Sequence, residues 1–270
     1  MDFANHVAVV TGAASGMGAA GARALADAGA HVYAVDLRQE ALDAAWSGHG
    51  SVTPVALDVS DSAAIQSLFE RVGQEQGRLD ILVNAAGVAT PNREKQAWVD
   101  GINNEMLAAA KKGEAYHPDF LSGVTDEDFD RVLAINLSGT FYMIRAAAPL
   151  LKRDGGSIIN FASVAGLMGL PMPAYYPASK AAVVGMTKAL AAELAPFNVR
   201  VNALAPAGIN TGMLTASGDD HVQALLSLQP LKRLAEPEEI AKTISFLAST
   251  DSAHYTGQVF SPSGGAVMTS

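Results

Sequence analysis

The chain contains no cysteine. Disulfide staples, thiolate nucleophiles and cysteine-ligated zinc are therefore excluded. Histidine is sparse as well. The six are scattered, with no H-E-x-x-H run or paired spacing, so no metal site is expected. Positive charge is in short supply: 18 Lys and Arg stand against 27 Asp and Glu. The resulting net charge of −9 argues against nucleic acid or an anionic membrane surface as a partner. No apolar run reaches the roughly 18 residues of a membrane-spanning helix. Arg23 and Asp27 interrupt the first apolar segment, and Lys188 and Glu193 interrupt a later one. The chain opens on Met1-Asp2 without a basic segment, so no secretory leader is expected and the cytoplasm is the default location. Internal repeats, charge blocks and linker-like tracts are missing too. A length of 270 residues then suits one large α/β domain, 1–270, with an ample core.

What is present alternates. Strand-like runs recur at about 6–10, 31–35, 52–57, 80–84, 156–161, 199–204 and 257–261. Helical stretches separate them, among them 16–28, 61–76, 126–152, 174–196 and 237–249. Such alternation predicts a doubly wound parallel sheet covered on both faces, with right-handed crossovers. Ligands of such sheets bind beyond the carboxyl ends of the strands. Gly12, Asp36, Asp58, Asn84, Ser163 and Ile209 all follow predicted strand ends.

The first strand runs into Thr11-Gly12-Ala13-Ala14-Ser15-Gly16-Met17-Gly18, and an alanine-rich helix follows. Strand, glycine turn and helix in that order form the context of a dinucleotide fingerprint. Gly12 permits the tight turn, Gly16 lets backbone amides approach a pyrophosphate, and Gly18 allows close helix–strand packing. An anion then sits at the helix N-terminus, facing unpaired N–H groups and the positive end of the dipole. The second strand ends at Asp36, about twenty residues on, where a carboxylate accepts from ribose hydroxyls and repels a 2′-phosphate. The residue before Gly16 is Ser15, neither Lys nor Arg. Arg38 is the one countervailing charge. NAD is the expected cofactor.

Tyr176 and Lys180 stand four residues apart, with Ser163 thirteen residues upstream of the tyrosine. Positions i and i+4 share a helix face, which brings the ammonium beside the phenol. A free phenol has a pKa of about 10, and a neighbouring cation favours its ionised form. Tyr175 precedes Tyr176, but only Tyr176 has a lysine four residues on.

With these residues assembled, the chain resembles the short-chain dehydrogenase/reductase family along nearly its whole length. The T-G-x-x-x-G-x-G pattern is met by Thr11, Gly12, Gly16 and Gly18, with Ser15 and Met17 between them. Asn84-Ala85-Ala86-Gly87 is similar to the N-A-G segment after the fourth strand. Asp58-Val59 matches the pair that contacts adenine, Asn136 the relay asparagine, Ser163 the catalytic serine, and Tyr176 and Lys180 the Y-x-x-x-K motif. Pro206-Ala207-Gly208-Ile209-Asn210-Thr211 departs from P-G-x-x-x-T by an alanine, while Ile209 and Thr211 keep their places at the nicotinamide carboxamide. Ser261-Pro262-Ser263-Gly264-Gly265 replaces the V-D-G-G of many relatives. The resemblance implies a Rossmann-type sheet of seven strands in the order 3-2-1-4-5-6-7.

It also implies an NAD-dependent enzyme that interconverts a secondary alcohol and a ketone. Tyr176 would move the proton, Ser163 would hold the oxygen, Lys180 would support Tyr176 and the nicotinamide ribose, and Asn136 would hold a relay water. The alternatives are a reductase of ketones or 3-oxoacyl thioesters, and a non-catalytic cofactor-binding protein. The last would be expected to lose the tyrosine or the lysine. Relatives pair helices 126–152 and 174–196 across a dimer axis, and Phe141, Ile144, Val183, Met186 and Leu190 make these helices apolar on more than one face. A homotetramer or dimer is expected.

The link from Gly87 to Asp126 is longer than relatives commonly use, an insertion at about 90–124. Within it Trp98, Ile102, Met106 and Ala109 follow helical spacing, and Lys111-Lys112-Gly113 reads as a helix end. The insertion, the apolar loop Leu167–Pro173 and the segment 210–228 with Met213 and Leu214 are read as three walls of a substrate site. Their character favours a bulky, mostly uncharged alcohol, cyclic or terpenoid-like, oxidised rather than formed.

Overall fold

The computed structural model describes residues 1–215 and 219–268. Its strands are β1 (Val7–Thr11), β2 (His31–Asp36), β3 (Val52–Ala56), β4 (Ile81–Asn84), β5 (Gly156–Phe161), β6 (Val199–Leu204) and β7 (Val259–Phe260). They form one parallel sheet in the order β3-β2-β1-β4-β5-β6-β7. The order reverses between β1 and β4, paired from Ala8 opposite Ile81 to Thr11 opposite Asn84. That reversal opens a crevice at the carboxyl ends of the two strands. The seventh strand is shorter than its apolar run suggested, because only Ala203 and Leu204 find partners in it.

The helices are α1 (Gly16–Asp27), α2 (Gln39–Trp46), α3 (Ser62–Gln76), α4 (Arg93–Lys112), α5 (Asp126–Leu133), α6 (Thr140–Asp154), α7 (Tyr175–Leu194), α8 (Gly212–Thr215), α9 (Asp219–Ser227) and α10 (Pro237–Ala248). Successive strand residues point to opposite faces, and the core divides accordingly. Ala8, Val10, Val32 and Ala34 pack under α1, α2 and α10, with Leu25, Trp46 and Ile244. Val7, Val9, Tyr33 and Val35 face α3, α6 and α7, with Leu68, Leu151 and Leu194.

The predicted helix 126–152 is not uniform. Between α5 and α6, residues Ala134–Gly139 form a π-helix, and Asn136 lies inside it. Gly139 allows this wider turn to pass β3's loop, since a Cβ there would meet the Val59 carbonyl at 2.8 Å.

Residues Arg93–Lys112 form the helix that the spacing of Trp98, Ile102, Met106 and Ala109 predicts. Asn92 caps α4 by accepting from the Lys95 amide at 2.9 Å, and Gly113 ends the helix at φ 70. α4 turns Val99 and Ala109 inward and packs against α9. Its first turn is pinned to α5. Lys95 Nζ pairs with Asp128 at 2.9 Å, donates to the Gly123 carbonyl at 2.6 Å and lies 5.2 Å from the Trp98 ring centre. Trp98 in turn meets Phe120 edge-on.

Candidate active site

Burial brings four sequence-predicted residues together on β5, α7 and the π-helix. Lys180 is 5% exposed, and its ammonium donates to the Phe161 carbonyl at the end of β5, 2.8 Å away. Asn136 is 1% exposed and fully used. Its Nδ2 donates to the Val88 carbonyl at 2.9 Å and the Ser179 hydroxyl at 3.1 Å, and its Oδ1 accepts from the Val88 amide at 2.9 Å. Ser179 donates to the Tyr176 carbonyl at 2.7 Å, so the π-helix is tied to the tyrosine's own backbone. Gly87 closes the space between them: a Cβ there would lie 3.1 Å from Asn136 Oδ1 and 3.3 Å from Lys180 Nζ.

Ser163 follows β5 and accepts from the Ala165 amide at 3.2 Å, and its hydroxyl acts to lower the pKa of the Tyr176 phenol. The electrostatics differ from the simple reading of the spacing. Burial pushes the Tyr176 phenol above its ordinary pKa, and Ser163 only partly offsets this. Lys180 sits 5.9 Å from the Tyr176 ring centre, turned towards the Phe161 carbonyl. Burial brings its own pKa down to about 8. Near neutral pH it is a group that can both hold and release a proton.

The nucleotide-side residues gather around the end of β1. Gly12 and Gly16 adopt φ of +68° and +57°, a region costly for side chains with a Cβ. A Cβ on Gly12 would come within 2.9 Å of the Ala85 carbonyl and the Ala86 amide, and one on Gly18 would collide with the Gly12 carbonyl. Thr11 fixes this turn against the end of β4, its hydroxyl accepting from the Ala85 and Ala86 amides at 3.1 Å each. Beneath it Asn84 donates to Asn160 at 2.9 Å, and Asn160 donates to Thr187 at 3.0 Å. Asn84 Oδ1 is buried without a partner among the described residues.

Ser15 precedes α1 without a side-chain cap, and no acidic residue stands in the first turn. The amides there are left for an anion, so the cradle fits a pyrophosphate. Met17 leans onto the core beside it. Across the turn, a Cβ on Gly16 would touch the Thr211 methyl at 3.3 Å, which places the Ile209–Thr211 stretch at the phosphate cradle.

Asp36 ends β2 half-buried and accepts from the Ala14 and Leu37 amides at 3.1 and 2.8 Å. A carboxylate has about four acceptor positions, so capacity remains for ribose hydroxyls. Arg38 is exposed at the start of α2. Asp58 is committed elsewhere: Ser60 donates to it through hydroxyl and amide at 2.7 and 2.8 Å, and Arg131 reaches it at 3.4 Å. Burial acts to raise this carboxyl, but those bonds outweigh it and hold it below its usual value. Val59 lies beside it, its carbonyl against the π-helix.

Sequence reasoning passed over Ser179, Val88 and the Phe161 carbonyl. Ser179 had a signal, since it stands between Tyr176 and Lys180, three residues after the tyrosine. The other two act through backbone atoms, which no residue type announces.

The sequence profile of the short chain dehydrogenase family matches residues 6–221. A 3-oxoacyl-(acyl-carrier-protein) reductase FabG of Thermotoga maritima is 39% identical, over 99% of this chain and 100% of that one. A D-threitol dehydrogenase of Mycolicibacterium smegmatis is 41% identical over 93% of this chain and 88% of its own. Among solved structures, the crystal structure of gox2181 matches with a TM-score of 0.84 at 30% identity, over 98% of this chain and 96% of that one. The single seven-stranded parallel sheet agrees with these likenesses, and the chain belongs to the short chain dehydrogenase family.

Proposed function

We propose that the protein is an NAD-dependent alcohol dehydrogenase, acting at CH–OH and taking a bulky apolar secondary alcohol to its ketone. One observation carries the reading: Ser163 favours the ionised Tyr176 phenol, while the Lys180 ammonium lies 5.9 Å from the Tyr176 ring centre and meets Asn136 below Gly87. A nicotinamide dinucleotide held by the Gly12–Gly18 turn and the 209–211 stretch would supply the hydride acceptor for the carbinol carbon. Tyr176, once ionised, accepts the hydroxyl proton. Ser163 donates to the substrate oxygen as it gains carbonyl character. Lys180, its pKa brought down to about 8 by burial, can release a proton and take one back from the tyrosine side, and Asn136 ties the Val88 backbone to the Ser179 hydroxyl beside it. Reduction runs these steps in reverse. Asp36 supports NAD over NADP, because its carboxylate opposes a 2′-phosphate.

The apolar substrate class rests on the half-buried Leu167, Met168, Leu170 and Met172, and on α4 lying against α9. Residues 216–218 and the Met213 side chain, part of the expected third wall, lie outside the described residues. The second reading, a 3-oxoacyl thioester reductase, is favoured by the 39% identity to the Thermotoga maritima reductase. In either reading the protein works in the cytoplasm as a homotetramer or dimer. Tyr176→Phe tests the reading: turnover of a panel of secondary alcohols and ketones should fall below a few per cent while NADH binding is kept. Substantial residual turnover refutes the role of the phenol.

A further inference from the structure

Gly208 and Gly264, from the two loops that depart from the family pattern, meet at one buried side chain. Gln229 follows α9 and is 3% exposed. Its amide is oriented here by its hydrogen-bonding partners. In that orientation the oxygen accepts from the Gly208 amide and the nitrogen donates to the Arg233 carbonyl, each at 3.2 Å. Glycines line its berth: a Cβ on Gly208 would come 2.6 Å from the Gln229 amide, and one on Gly264 would come 2.7 Å from it. The loop after β6 thus carries its glycine at 208, where Gln229 lies, and an alanine at 207.

The strip held this way joins the two halves of the site. Its start is fixed beside the catalytic serine, where the Pro206 carbonyl accepts from the Val164 amide at 3.2 Å. Its end, Thr211, faces Gly16 in the phosphate cradle. In between, Gly208 accepts from the Ala235 amide at 3.1 Å and the Asn210 amide donates to the Ala235 carbonyl at 2.8 Å, while Ile209 is buried. A dinucleotide bound between the cradle and Tyr176 would be held by this strip. We infer that Gln229 is a positioning residue, which sets the 206–211 strip through the Gly208 amide and so holds the site for the nicotinamide end of the cofactor. This rests on the dinucleotide reading above.

The test separates the two ends of the ligand. NADH spans cradle and strip; ADP-ribose fills only the cradle and its ribose. Gln229→Leu removes the acceptor for the Gly208 amide and should weaken NADH binding about tenfold, the scale of one lost buried hydrogen bond. ADP-ribose affinity should stay within about twofold, since no cradle bond is lost. Gln229→Met fills the same volume and replaces the leucine variant if that one does not fold. Gln229→Glu keeps an acceptor for Gly208 and should bind NADH nearly as the parent does. Equal loss of both ligands, no loss of either, or a glutamate variant as weak as the leucine one would overturn the inference. A parent protein that binds neither ligand would instead overturn the dinucleotide reading, and this role with it.

Discussion

Replacing Lys95 by methionine keeps the aliphatic stem against Trp98 and removes only the charge. Asp128 then loses its ion pair at 2.9 Å, and the Gly123 carbonyl loses a donor at 2.6 Å. The magnitude lies between two limits. Exposed pairs contribute no more than about 1 kcal/mol, and breaking a deeply buried pair costs about 3–5 kcal/mol. Here the side chains are 20% and 8% exposed, yet the Asp128 carboxyl lies close under the protein's outer surface, where solvent still screens it. A cost of about 2 kcal/mol follows from placing the pair between those limits. For a chain of this size that lowers the midpoint of thermal unfolding by roughly 4–8 °C. The sign of the pH dependence is set by Asp128. Burial alone would raise its pKa, but hydrogen bonds from Lys95 and Thr125 outweigh burial and hold it below its usual value. A carboxyl depressed in the folded state stabilises above its unfolded pKa and loses that contribution as pH falls through the folded one. The gap between parent and variant, measured by urea unfolding, should therefore narrow from pH 7 to about pH 3. A gap below about 1 kcal/mol at pH 7, or one that is unchanged at low pH, would refute the reasoning, since an exposed pair contributes no more than that.

Asp36→Ala should narrow a kcat/KM preference for NAD over NADP that is about hundredfold in the parent, a few kcal/mol of charge opposition in a half-buried site; equal use of both cofactors by the parent would show that Arg38 governs instead. Shortening 92–120 to a tight loop should raise KM for the true substrate and spare NAD affinity. Unchanged kinetics in the folded variant would make α4 a packing element only. Light scattering at micromolar concentration should give a dimer or tetramer, and a monomer would refute assembly through α6 and α7. Of the residues expected at that face, Ile144 and Val183 are already consumed by the protomer's own core, and Phe141 is the one left 40% exposed.

Fold and site were unequally legible. The strand–glycine–helix entry, the sheet and the insertion helix could be read because each has local chemistry: positive-φ glycines, alternating apolar runs, a capping asparagine and a terminal glycine. The π-helix could not, because nothing in the sequence of Ala134–Gly139 marks a wider turn rather than an ordinary helical one. α2 escaped notice since its buried face is only Leu42 and Trp46. The direction in which the lysine turns was not legible for a similar reason. Spacing places Lys180 on the right face, but the Phe161 carbonyl that draws the ammonium aside belongs to a distant strand.

The wide turn around Asn136 has an evolutionary side. A π turn holds one residue more than the α turn it interrupts, and its hydrogen bonding is poorer. Deleting a single residue from 134–139 would restore a regular helix from α5 into α6. The product would form its helix more readily, yet it would rotate Asn136 away from Val88 and Ser179. Selection for robustness alone would favour that deletion, and selection for turnover would oppose it. The segment is thus a site where a protein bred only for heat tolerance would be expected to drift towards a well-folded, silent form.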